Sequence, residues 1–129
     1  MPLKNYSLSD KKEIKMELLL TDKDGRKLWR NDEGNYLIDI PGKDNSGFDR
    51  SFLLEFQKGP RGEVGVNGLT NEIIIECLLK RLLALQTIAP CDLNLTALYH
   101  LDQALSVLVE RENILSKGGE LDNTGNIWF

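Results

Sequence analysis

The side chains best suited to chemistry in this chain are its arginines: Arg26, Arg30, Arg50, Arg61, Arg81 and Arg111. A guanidinium is planar and permanently charged, so it can grip a phosphate with two hydrogen bonds or stack on a base. Taken singly, each reads as a surface charge; the ligand case rests on their distribution around a glycine-rich hinge. Catalytic residue sets are harder to find. His100 is the single histidine, and its place on a helix offers no evident acid or nucleophile partner, so it reads as a surface or interface side chain. Cys77 and Cys91 form no metal-type pair, and neither has a predictable base nearby. The carboxylates are spaced for a solvated face rather than for a paired acid and base. Asp22-Lys23-Asp24 has a calcium-like ring to it, but the remaining loop ligands and the closing glutamate are missing. These residues can bind; neither an enzyme nor a cofactor is expected.

The hinge is the stretch Phe56 to Glu72, where four glycines and a proline are spread among small, polar and charged residues. Glycine serves where the backbone takes positive φ or approaches something closely. Asn67-Gly68 reads as a turn pair, and Thr70 can cap a helix that follows. The segment carries an extended N-terminal half into a helical C-terminal half and presents Lys58 and Arg61 at the junction. On physical grounds alone a structured β-to-α crossover accounts for it better than a ligand site does. No Gly-Lys-Ser/Thr closes it as a P-loop, and it does not fit the dinucleotide fingerprint.

With 129 residues and a net charge of −4, the chain fits one domain with a real core and lacks the basic excess of a general DNA or RNA binder. No apolar run is long enough to cross a membrane. Two unpaired cysteines and no signal peptide at the start fit a reduced cytoplasmic setting.

Four stretches follow. Residues 1–15 are polar and read as a flexible N-terminal segment, with Ser7 to Lys12 a possible capped turn. Residues 16–57 read as a small antiparallel β-meander: Met16–Thr21, Arg26–Asn31 around Trp29, Tyr36–Ile40, and Ser51–Gln57 with Phe52, Leu54 and Phe56 on one face. Turns are expected at Asp22–Gly25 and Asp32–Asn35, a stop at Pro41-Gly42, and a soft polar loop from Lys43 to Asp49. Residues 58–116 combine the junction with an αα-hairpin. Its first helix, Thr70 to Gln86, carries only a narrow polar stripe of Glu72, Glu76 and Lys80. Such a helix needs cover on more than one side, which speaks for oligomerisation. The second helix runs roughly from Asp92, a reasonable N-cap, to Ser116, with Leu98, Leu101, Leu105 and Leu108 as its core stripe. Residues 117–129 form a polar tail ending in Ile127-Trp128-Phe129, an apolar tip suited to docking on its own or a neighbouring subunit. The fold class is α+β, a meander followed by a helical hairpin, and oligomeric.

The sequence Phe56-Gln57-x-Gly59-Pro60-x-x-Glu63-Val64-Gly65-Val66-Asn67-Gly68-x-Thr70-Asn71-Glu72 resembles the signature of phage proteins that share the helical hairpin of Thoeris anti-defence and anti-CBASS proteins. The resemblance continues through Pro90-Cys91-x-x-Asn94, Ala97-Leu98, Leu101-x-x-Ala104-Leu105 and Arg111, close to half the chain. It implies a sponge: a protein made in the cytoplasm of the infected bacterial host that sequesters nucleotide immune messengers without cleaving them. Glycocyclic ADP-ribose is the messenger of the Thoeris branch, and relatives take cyclic di- or trinucleotides. The long N-terminal half points to the Thoeris branch. Dimers up to hexamers, with ligand sites between subunits, are also implied. By motif, Asn94 matches a ligand-bonding asparagine, and Arg111 an arginine that contacts phosphate or stacks on adenine. Leu85 stands where the family usually has a stacking aromatic. Arg61 is a phosphate clamp at the junction and Arg30 a further contact on the β-element. The family's arginine-rich tail is replaced by Glu112 to Gly119, with only Lys117 basic. A phage structural or regulatory protein that uses the hairpin for assembly is the alternative. A messenger-cleaving enzyme is disfavoured by the missing base, nucleophile and metal set.

Overall fold

The computed structural model describes residues 3–7 and 13–116, with side chains from Lys15 onward. It is α+β and divides into two compact units, residues 1–56 and 57–129. Residues 8–12 of the expected turn over Ser7–Lys12 and the Ile127-Trp128-Phe129 tip lie outside the described residues.

The first unit is an antiparallel meander of five strands in the order β1-β2-β3-β4-β5: β1 Leu3–Ser7, β2 Glu13–Thr21, β3 Lys27–Asn31, β4 Tyr36–Lys43 and β5 Asp49–Leu54. Four of these were expected. The fifth falls within the segment read as flexible: Leu3–Ser7 pairs with Glu13–Glu17, so β2 begins three residues before Met16. A polar sequence hid it, because an edge strand supplies backbone pairing without a core-facing stripe.

Three hairpin turns are built by one device. Asp22, Asn31 and Asp44 each accept, through Oδ1, the backbone N–H groups two and four residues on, at 2.8–3.0 Å. The third residue on is in each case a glycine at positive φ: Gly25, Gly34 and Gly47. A short acceptor at the first position and a left-handed glycine closing the turn are what such hairpins require. The second turn is therefore anchored on Asn31, one residue before the expected Asp32. The soft loop after Lys43 proves to be the third of these turns. Nor do Pro41 and Gly42 stop β4. The register steps from Ile40↔Arg50 to Lys43↔Asp49, so the two residues bulge out of the ladder with Gly42 at φ 93°, and Pro41 contributes its carbonyl to the Arg50 guanidinium. A bulge tolerates a proline that a paired position would not.

One face of the sheet carries the core. Leu18, Trp29, Leu37 and Leu53 are successive cross-strand partners, and with Met16 they form its apolar cluster. Beside them Trp29 Nε1 donates to Asp39 Oδ2 at 2.9 Å, while Ser51 Oγ donates to Asp39 Oδ1 at 2.6 Å. The carboxylate thereby ties three strands together. Phe52 and Leu54 do share a face, but it is the opposite one: Leu53 packs inward and Phe52 is exposed.

In the second unit, a structured loop leads through α1 (Arg61–Val64) to α2 (Asn71–Ile88) and α3 (Asp92–Ser116). The Pro60 carbonyl accepts from the N–H groups of Glu63 and Val64 at 3.0 Å, a single turn that the sequence did not announce. Thr70 caps α2 as expected, its Oγ1 accepting from Ile73 N at 3.2 Å. At α3 the cap position belongs to Cys91, whose carbonyl accepts from Leu95 N at 3.2 Å. Asp92 is instead the first helical residue, where its charge suits the positive end of the dipole. Residues 89–91 fold the two helices back into a hairpin. Leu98, Leu101, Leu105 and Leu108 are half-buried, and Leu79 is the buried apolar residue of the described part of this unit.

Candidate functional site

The junction loop is held by two side-chain amides. Gln57 is almost fully buried, at 2% exposure. Its Nε2 donates to the carbonyls of Gly65 (2.9 Å) and Gly59 (3.2 Å), and its Oε1 accepts from Asn67 N at 3.0 Å. Asn67 answers from the far side of the loop. Its Oδ1 accepts from Lys58 N at 2.8 Å and its Nδ2 donates to Lys58 O at 2.9 Å. Gly59 and Gly65, both at positive φ, let the backbone turn around these amides. Asn67-Gly68 thus works through the asparagine side chain rather than as a turn pair, and Gly68 is not among the glycines at positive φ.

This clamp fixes the position of α1 and, with it, Arg61. The Arg61 guanidinium forms an ion pair with Glu112 near the end of α3. The adjoining Arg111 lines the same small cavity, together with Gln57, Thr70, Asn71 and Glu72 at the start of α2. Arg111 Nη2 is buried and has no hydrogen-bond partner among the described residues. A buried donor left unpaired costs on the order of 1–3 kcal/mol. The N-terminus of a helix, with its free N–H groups and positive dipole end, also favours an anion. Two guanidinium groups and a helix start therefore converge on one place. The two carboxylates there, Glu72 and Glu112, offset their charge.

The other expected site residues lie elsewhere. Asn94 is in the first turn of α3 and Arg111 near its end, about 25 Å apart along the axis at the helical rise per residue. Leu85 is in the last turn of α2 and partly exposed, so it shares the hairpin's linker end with Asn94. Arg61 and Arg111 share the opposite end. Arg30 belongs to the β unit, where Nη2 pairs with Glu17 Oε2 at 3.2 Å across β2 and β3. Within one chain, then, Arg61 and Arg111 come together in one cavity, while Leu85 and Asn94 share only the linker end of the hairpin.

Sequence reasoning missed Gln57 and Glu112. Gln57 was readable only as part of a motif, and Glu112 only as a departure from a basic tail. The Asp22–Asp24 turn is filled from within: Arg26 Nη1 lies 2.8 Å from Asp22 Oδ2 and 3.3 Å from Asp24 Oδ2. Hydrogen bonding to Arg26 holds the Asp22 carboxyl below its usual range, and the carboxylate in turn raises the Arg26 guanidinium. A guanidinium sits where a cation would, and among the described residues no His, Cys, Asp and Glu group is arranged to hold a metal ion. No described helix is long and apolar enough to cross a membrane.

No protein-family model matches the sequence, and a search of curated proteins finds no match.

Proposed function

We propose that the protein is a non-catalytic sponge that binds and sequesters phosphate-bearing nucleotide messengers of bacterial immunity: glycocyclic ADP-ribose, or cyclic di- or trinucleotides. The observation that carries this reading is the pairing of Arg61 and Arg111 at the start of α2, with a buried Arg111 Nη2 in need of an acceptor. A phosphate would satisfy that donor and engage the helix N-terminus at once. The motif spanning Phe56 to Arg111 adds the resemblance to Thoeris anti-defence and anti-CBASS proteins.

The site is completed between copies of the chain. Leu85 and Asn94 are a helix length away from Arg111, so a ligand that touches both groups bridges the linker end of one hairpin and the open end of another. The hairpin's surface favours such an assembly: Ile73, Leu83, Ile88, Leu95, Tyr99 and Val107 are each at least half exposed, more apolar surface than a lone hairpin normally leaves in water. The setting that fits is the cytoplasm of an infected bacterial cell, with no part for DNA, a membrane or a cofactor.

Calorimetric titration with glycocyclic ADP-ribose isomers and a panel of cyclic di- and trinucleotides tests the reading, followed by heating the complex and recovering the ligand. Tight binding with intact recovery is expected, and Arg111→Ala or Asn94→Ala is expected to abolish it while the circular dichroism spectrum stays unchanged. Unaltered affinity in a folded Arg111→Ala variant would refute the site. A second reading, a phage structural or regulatory protein assembled through the hairpin, draws on the same exposed apolar surface. It leads if no nucleotide binds and the protein is nonetheless oligomeric.

A further inference from the structure

The cavity between Arg61 and Arg111 has a volume of about 20 Å³, space for a single water and far short of a phosphate. Glu112 is one of its walls. Its carboxylate is paired with Arg61 and lines the cavity with Arg111, whose Nη2 is left without an acceptor. The pair is only partly shielded, with Arg61 at 41% and Glu112 at 38% exposure. It is therefore a modest interaction that can be exchanged for a better one.

We infer that Glu112 is an internal counter-ion that gates this pocket, so that a ligand phosphate enters by taking Arg61 away from it. This inference rests on the binding role proposed for the same pocket and adds the element that selects its ligand. One carboxylate satisfies Arg61 and leaves Arg111 Nη2 unpaired. A phosphate has oxygens for both guanidinium groups, so the exchange replaces one ion pair and one orphaned donor with two charge-assisted contacts. Glu112 then swings toward solvent, which its partial exposure permits. Ligands with a single weak anionic group, such as a lone carboxylate, cannot repeat that gain and are turned away. The selectivity is for phosphate, and it is set by a residue that need not touch the bound ligand.

The test uses the full chain and sulfate, a tetrahedral dianion whose charge is constant through the neutral pH range. Sulfate affinity is followed by NMR titration of the arginine side-chain resonances in wild type, Glu112→Gln, and Arg61→Gln with and without Glu112→Gln. Glu112→Gln is nearly isosteric and is expected to tighten sulfate by about three- to tenfold, the range set by removal of a partly exposed ion pair. That gain is expected to vanish when Arg61 is already removed, which identifies the exchange partner. Unchanged or weaker sulfate binding in folded Glu112→Gln overturns the inference, and Glu112→Ala serves the same purpose if the glutamine variant fails to fold. Cyclic di-AMP and a glycocyclic ADP-ribose are titrated in parallel. Tighter sulfate binding with no binding of either nucleotide leaves the counter-ion standing and defeats the sponge reading. Tight nucleotide binding with sulfate unmoved does the reverse.

Discussion

Gln57 and Arg111 each bury polar atoms beside the start of α2, and the two are in opposite states. The Gln57 amide is satisfied on every side, so removing it strands three backbone groups: the carbonyls of Gly59 and Gly65 and the N–H of Asn67. Gln57→Leu keeps the approximate volume and loses all three bonds. It is expected to destabilise the second unit by about 2–4 kcal/mol in chemical denaturation, since buried groups without partners carry their desolvation cost unrelieved. A change within the few tenths of a kcal/mol typical of surface positions would mean that the loop holds itself. Arg111 is the reverse case, a donor waiting for a partner. Neither state can be read from residue type: Gln57 depends on a loop that returns to it from up to ten residues away, and Arg111 on a cavity where Glu112 meets Arg61 across some fifty residues of sequence. What was legible was the short-range chemistry, such as Thr70 capping the helix that follows it.

Among the elements, the same division between local and distant causes explains which boundaries were found. The turn at Asp22 was legible because acceptor, glycine and flanking strands all lie within a few residues. The equivalent turn at Asp44 was missed because Pro41-Gly42 suggested an ended strand, and the bulge that absorbs them is defined by pairing with β5. Leu3–Ser7 was missed for a similar reason, since its partner is the outer edge of β2. The first turn also makes a pH prediction. The Asp22 carboxyl is held below its unfolded range by hydrogen bonding to Arg26, so the folded state favours the ionised form. The stabilisation is present above the unfolded carboxylate pKa and is lost as pH falls through the lower folded value. Asp22→Asn is therefore expected to flatten the acid limb of the stability curve below about pH 4, while leaving the slope near neutrality unaltered. A variant whose thermal midpoint keeps the wild-type acid dependence would show that Arg26 makes no difference to folding there.

At the scale of the whole molecule, the hairpin's apolar surface is the dominant fact. Four half-buried leucines and one buried Leu79 hold α2 to α3, while Leu83, Leu95 and Tyr99 flank a groove that remains open. Each such side chain is worth about 1.5–3 kcal/mol when fully buried, so a second copy covering several of them would associate firmly. Sedimentation at micromolar concentration is expected to show an oligomer, and the double substitution Leu95→Glu and Tyr99→Glu is expected to shift it to monomers with its helix content kept. A monomeric wild-type protein would remove the basis for a site shared between copies.

The order of the strands bears on how such a chain is made. In a sheet running β1-β2-β3-β4-β5, every pairing joins sequence neighbours, so each is formed by closing a short loop and contact order is low. The meander also precedes the hairpin in the chain, so the ribosome delivers it first. It can complete its pairings while the helices are still being added. The hairpin with its exposed apolar surface thus emerges behind a meander that has had time to form its pairings, so two sticky, unpaired units need not be exposed at once.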